Sequence, residues 1–220
     1  MALTSTGMTL ADLLERFGAI PAARIRYDPP PGTATEQDVI ALEAREKRLF
    51  ELVDGVLVEK AMGFYESFLA MRLVQFLLTF VERHALGIVA GEAGMLRLAP
   101  GRVRIPDVSF VSWDRLPQRR VPRQPIPDLV PDLAVEVLSE GNTRREMEQK
   151  LQEYFTAGVR LVWYIDPVLQ EVHAYTTPDQ REVLTVDYTL HGGEVLPGFT
   201  LLVRQLFAEP TESPDHHQTP

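Results

Sequence analysis

The chain has 220 residues, with 22 Lys and Arg against 31 Asp and Glu for a net charge of −9, and it contains no cysteine. Disulfides, thiolate zinc sites, iron–sulfur clusters and cysteine nucleophiles are thereby excluded, so any metal must be held by oxygen or imidazole. A 45% hydrophobic and 24% charged composition is that of a folded domain, and the acidic balance argues against indiscriminate nucleic-acid binding while leaving room for a local basic groove.

The opening MALTSTGMTLADLLERFG has no basic segment followed by an apolar run, so no signal peptide and a cytoplasmic location are expected. A short helix is predicted from Leu10 to Phe17, and the Pro-rich DPPPGTAT then stiffens an arm. Thr35 and Asp38 form a capping-box pattern that opens a helix through Leu49. ELVDGVLVEK gives two alternating runs about Asp54-Gly55, a β-hairpin signal. Phe64 to His84 reads as one long helix, apolar on most of its circumference and hence packed on a sheet. Glu66, Arg72, Gln75, Glu82 and Arg83 within it argue against a membrane span.

Ile88 to Trp113 holds two or three strands broken by Gly91, Gly94 and Pro100-Gly101, which reads as a β-meander. DRLPQRRVPRQPIPDLVP, residues 114–131, is a proline-broken basic loop, and Leu133 to Leu138 is a nearly continuous apolar run, the mark of a strand buried on both faces. Thr143 and Glu146 cap a helix with the stripe Met147, Leu151, Tyr154 and Phe155, which Gly158 stops. Arg160 to Ile165 is a second buried strand, so strand–helix–strand predicts one parallel crossover in an otherwise antiparallel sheet. A hairpin from Glu171 to about Val186 and a closing segment at 201–207 complete an α+β fold. The domain boundaries read as an N-terminal arm and helix (1–48), a main domain (49–207) and a flexible polar tail (208–220).

Chemistry narrows to carboxylates and lysine. The histidines, His84, His173, His191, His216 and His217, show no HxxxH or HxH spacing, and Ser139 lacks the GxSxG elbow that would expose it as a nucleophile. Two acids projecting from neighbouring strands can share a Mg²⁺ ion, a hard cation that takes oxygen ligands, and so activate water and stabilise a phosphate. The candidates are Asp107, opening an alternating strand, and Glu136, an acid inside an apolar run that is costly to bury unless paired or metal-bound. The alternative is a buried Glu136 paired with an arginine such as Arg104 or Arg160, since ion pairs also explain buried acids. Asp132 shares a strand face with Glu136, but four residues at about 3.3 Å each put it about 13 Å away, too far for one ion. Lys150 is one of only three lysines. It either reaches over the sheet end to orient water or stabilise phosphate, or forms a solvated i,i+4 pair with Glu146.

PDVSFVSW, PDLAVEVLSEGNTRREMEQKLQEYFTAGVRLVWYIDP and VLPGF, with ELVDGVLVEK before them, closely resemble the Uma-type bacterial family of restriction-endonuclease-like proteins, within the PD-(D/E)XK nuclease superfamily. The resemblance spans roughly Leu49 to Phe207. It implies a restriction-endonuclease-like mixed β-sheet flanked by helices, Mg²⁺-dependent hydrolysis of DNA phosphodiesters with Mn²⁺ as substitute, and a homodimer. The superfamily's Pro-Asp falls on Pro106-Asp107 and its second acid on Glu136. The usual lysine two residues on would be at 138, where this chain has Leu138, and the resemblance implies that its role passes to Lys150 on the following helix. Asp107 and Glu136 would hold the metal with the Val137 carbonyl. Glu66 on the long helix either matches a further superfamily acid or is an exposed first-turn acid that favours the helix dipole, with Glu51 in the hairpin a weaker match. DNA would approach through Arg115, Arg119, Arg120 and Arg123, unless that loop is merely a solvated surface. The competing reading is a non-catalytic nucleic-acid-binding or protein-interaction module on the same fold.

Overall fold

The structure is a computed structural model that describes residues 8–61 and 63–210. Helix α1 (Leu10–Arg16) starts at a Thr9/Asp12 capping box, and a 3₁₀ turn at Ala22–Arg24 follows. Helix α2 (Glu36–Glu46) uses the expected Thr35/Asp38 box but stops early, because Lys47 turns left-handed at φ 56°. The expected hairpin is β1 (Phe50–Val53) and β2 (Val56–Glu59). Asp54 and Gly55 both have positive φ, the geometry of a two-residue turn that matches strand twist.

Helix α3 (Phe64–Arg83) is long and apolar enough to cross a membrane by length and composition. Instead Leu69, Leu73, Leu77 and Val81, spaced by fours along one face, pack on a sheet, each such buried side chain contributing about 1.5–3 kcal/mol. The helix packs on a sheet as expected, with Phe64 and Met71 left exposed to solvent.

Four strands follow: β3 (Gly87–Gly91), β4 (Leu96–Ala99), β5 (Arg102–Arg104) and β6 (Val108–Ser112). They are not the simple meander the sequence predicts. β4 and β5 fold back onto the hairpin to make a four-stranded sheet, β2-β1-β5-β4, while β3 and β6 join a second, larger one. Then come β7 (Leu133–Val137), α4 (Arg144–Ala157), β8 (Leu161–Asp166), β9 (Glu171–Thr177) and β10 (Gln180–Leu184). The six-stranded order is β10-β9-β8-β7-β6-β3, with β7–β8 parallel as expected and the other pairs antiparallel. β11 (Thr189–His191), β12 (Thr200–Leu202) and α5 (Val203–Phe207) close the chain.

The large sheet separates two cores. On one side Phe110, Val135 and Trp163 meet α3 and the C-terminal elements; on the other Ala134 and Val162 meet Met147, Leu151 and Tyr154 of α4. The N-terminal segment packs on the hairpin, with Leu13, Phe17 and Ile25 against Val53, Val56 and Val58. Arg24, buried, grips the start of α4 through both oxygens of Glu146, at 2.7 and 3.0 Å, and through the Gly141 carbonyl. This removes the solvated Lys150–Glu146 pair from consideration. The tail proposed from 208 lies, from residue 211 onward, outside the described residues.

Candidate active site

Alternation along β7 turns Glu136 to the same face as Ala134, toward α4. The β6–β7 ladder pairs Val108 with Val135. Asp107 therefore meets the end of β7, where its Oδ2 accepts the Val137 N–H at 2.6 Å. Val137 thus supplies its amide to the site. From α4, Lys150 and Tyr154, one turn apart on the buried stripe, reach down onto Glu136: Lys150 Nζ lies 2.9 Å from Glu136 Oε1, and the Tyr154 hydroxyl donates to the same oxygen. Glu136 pairs with neither Arg104 nor Arg160. Arg104 binds Glu51 and Glu153, and Arg160 lies by Asp132 at the far end of the strand.

The small sheet brings the rest. Glu51 of β1 sits 3.1 Å from Lys150 Nζ, 2.7 Å from Arg104 Nη1, and accepts the Ile105 N–H. Lys60, directly after β2, places Nζ 2.8 Å from Asp107 Oδ1 and donates to the Ile105 carbonyl. Its backbone is fixed by an N–H donated to Leu49 O at 2.9 Å. Three acids and two lysines thus meet where the end of the large sheet touches the small one, all with side chains at most 10% exposed.

Burial drives the protonation states. Desolvation pushes the Glu51 carboxyl up, but the Lys150 and Arg104 cations more than offset this and hold it at about 2. Glu136 goes the other way: burial, aided by the nearby Asp107 charge, raises it against the pull of Lys150. Burial would lower Lys150, yet Glu136 and Glu51 raise it, so it stays an ammonium. Among the described residues no three Asp, Glu or His side chains stand at metal-holding spacing; Lys60 lies on Asp107, and Lys150 on Glu136 and Glu51.

A cleft of about 1200 Å³ opens beside this cluster, lined by Lys60, Glu66, Leu138, Asn142, Tyr164 and Arg181 among others. Glu66 is therefore in the cleft, but it has no ion pair with the Asp107–Glu136 cluster; Glu51 is the third acid in that network. The basic loop leaves from the opposite end of the sheet. It follows Ser112, five residues after Asp107, or about 17 Å along the strand. Arg115 there is committed to structure, bound to Asp132 and to the carbonyls of Val130, Pro131 and Gly158. Arg119 pairs with Asp114, and Arg119, Arg120 and Arg123 are exposed.

Sequence reasoning missed Lys60, although it is one of only three lysines and ends the hairpin run. It also treated Tyr154 as core, although its place four residues after Lys150 puts both on one helix face.

A model of the Uma2 family, described as "Putative restriction endonuclease", matches residues 36–204. A crystal structure described as a putative nuclease belonging to DUF820, from Anabaena variabilis ATCC 29413, is similar over 91% of this chain and 97% of that one, at 20% identity and a TM-score of 0.64; that likeness concerns the fold. No curated protein matches.

Proposed function

This chain belongs to the Uma2 family, whose description is that of a restriction-type nuclease, and on that premise we propose that it is a divalent-metal-dependent endonuclease hydrolysing DNA phosphodiesters. The observation that carries the reading is the convergence of Asp107 and Glu136 with Lys150 at one sheet end, beside a cleft.

The donor set fits the implied ion. Asp107, Glu136 and Glu51 offer only hard oxygens, which suit Mg²⁺ or Mn²⁺. The Val137 amide fixes one Asp107 oxygen, and Oε1 of Glu136 takes both Lys150 and Tyr154, which leaves Glu136 Oε2 for coordination. Asp107 and Glu136 would hold the metal, with the Val137 carbonyl as a further oxygen. Bound there, it would supply Lewis-acid stabilisation of the phosphate and a water acidic enough to attack.

The chain's own groups do the rest. Tyr154 orients Glu136 by its donated hydrogen bond, and Glu51 with Arg104 fixes the position of Lys150. The Lys150 ammonium would supply positive charge to offset the charge that builds on the phosphate in the transition state. Exposed Arg119, Arg120 and Arg123 would meet phosphates on the flank of the duplex. The implied homodimer would use the uncovered apolar side of α3, with Phe64 and Met71.

A plasmid-nicking assay with Mg²⁺ or Mn²⁺ tests the reading. Wild type should nick and Glu136→Gln should not; binding without cleavage across varied DNA would instead favour a non-catalytic module.

A further inference from the structure

The cleft and the carboxylates do not touch directly. Neither Asp107 nor Glu136 lines the cleft, whereas Lys60 does, and its ammonium sits on the one Asp107 oxygen that the Val137 amide leaves unclaimed. Lys60 is 3% exposed at its side chain, its backbone N–H is held by Leu49 O, and it stands between Asp107 and the cleft that it lines. A buried carboxylate needs a cation beside it, and for Asp107 Lys60 is that cation.

We infer that Lys60 is a second lysine of the reaction and a resident counter-ion: it holds Asp107 while no divalent ion is bound, and yields that oxygen on metal binding to turn its charge toward the phosphate in the cleft. The inference rests on the endonuclease reading. With Lys150 on Glu136 and Glu51, and Arg104 on Glu51, Lys60 on Asp107 completes the set of cations that offsets the three buried acids. The inference also makes metal binding a competition, in which the protein's own ammonium must be displaced from Asp107.

Titration calorimetry with Mn²⁺ on wild type, Lys60→Met and Lys60→Gln, paired with single-turnover nicking of supercoiled plasmid at saturating Mn²⁺, tests this. Removing the competing charge should tighten Mn²⁺ binding about tenfold, while loss of the phosphate contact should slow nicking about a hundredfold. Met keeps the stem's packing, and Gln keeps a neutral donor toward Ile105 O, so at least one variant should fold; melting curves check which. Unchanged or weaker Mn²⁺ affinity in a folded variant would make Lys60 a purely structural partner and overturn the inference. Tighter binding with undiminished nicking would overturn the phosphate role. Failure of wild type itself to bind Mn²⁺ would overturn the endonuclease reading and this inference with it.

Discussion

Lys150 neutralises two buried carboxylates at once, Glu136 at 2.9 Å and Glu51 at 3.1 Å. Removing such a shared cation leaves uncompensated buried charge, so Lys150→Met should cost about 3–5 kcal/mol. Urea denaturation should show that cost, and adding Glu136→Gln should recover part of it, because the pair is not additive. Glu136→Gln alone has a different profile. Burial holds the Glu136 carboxyl above its ordinary value, so its contribution to stability is full below the unfolded value and lost as pH rises through the folded one. At pH 7 the neutral variant should melt no lower than wild type while nicking is abolished, the pattern of a site that sacrifices stability for chemistry. Glu51 has the opposite sign. Held at about 2 against an ordinary 4.5, it contributes stability that is full above 4.5 and lost as pH falls from there toward 2. Glu51→Gln should flatten the stability–pH curve in that acid window, as read from urea midpoints at a series of pH values.

The hairpin β1–β2 carries both Glu51 and Lys60, so its turn controls the site from a distance. Gly55 has φ +79°, and a Cβ there would lie 2.5 Å from the Gly32 carbonyl, while its own carbonyl accepts the N–H groups of Gly32 and Ala34. Gly55→Ala should therefore destabilise the fold by about 1–3 kcal/mol, measurable in urea, and slow nicking by disturbing both side chains. That hairpin was legible in sequence because Asp-Gly between alternating runs is a local code. α4 was legible for the same reason, with its N-cap at Thr143 and left-handed Gly158 both written within a few residues. Glu136 was conspicuous as a lone acid in a buried strand. What local pattern could not show was sheet membership: β4 and β5, at four and three residues, carry no signal of which sheet they join, and only long-range pairing places them with the hairpin. Lys60 escaped notice for the same reason, since its partners Asp107 and Ile105 lie more than forty residues away.

At the scale of the molecule, on the proposed function, the net charge of −9 and the placement of the arginines would decide how DNA is held. The cleft lining has four Arg and Lys against five Asp and Glu, so it does not by itself attract a phosphate backbone. The concentrated basic surface is the 114–131 loop, about 17 Å from Asp107 along the strands, or about half a turn of duplex. Arg115 is spent on Asp132, but the exposed Arg120 and Arg123, with Arg119 held only by its solvent-exposed pair with Asp114, would meet phosphates that flank the scissile one. Affinity and chemistry should then separate. Arg119→Ala with Arg120→Ala should weaken binding equally for unrelated DNA sequences and reduce the steepness of log affinity against log salt by about one to two units, one counterion release per lost contact. Because neither residue approaches Asp107, Glu136 or Lys150, the single-turnover nicking rate at saturating DNA should match wild type. Fluorescence anisotropy across a salt series and rapid-quench nicking measure the two quantities. An unchanged salt slope would place the duplex wholly over the cleft and leave the loop to solvent, and a fallen nicking rate at saturation would mean that DNA bends around the sheet end to bring the loop and the carboxylates together.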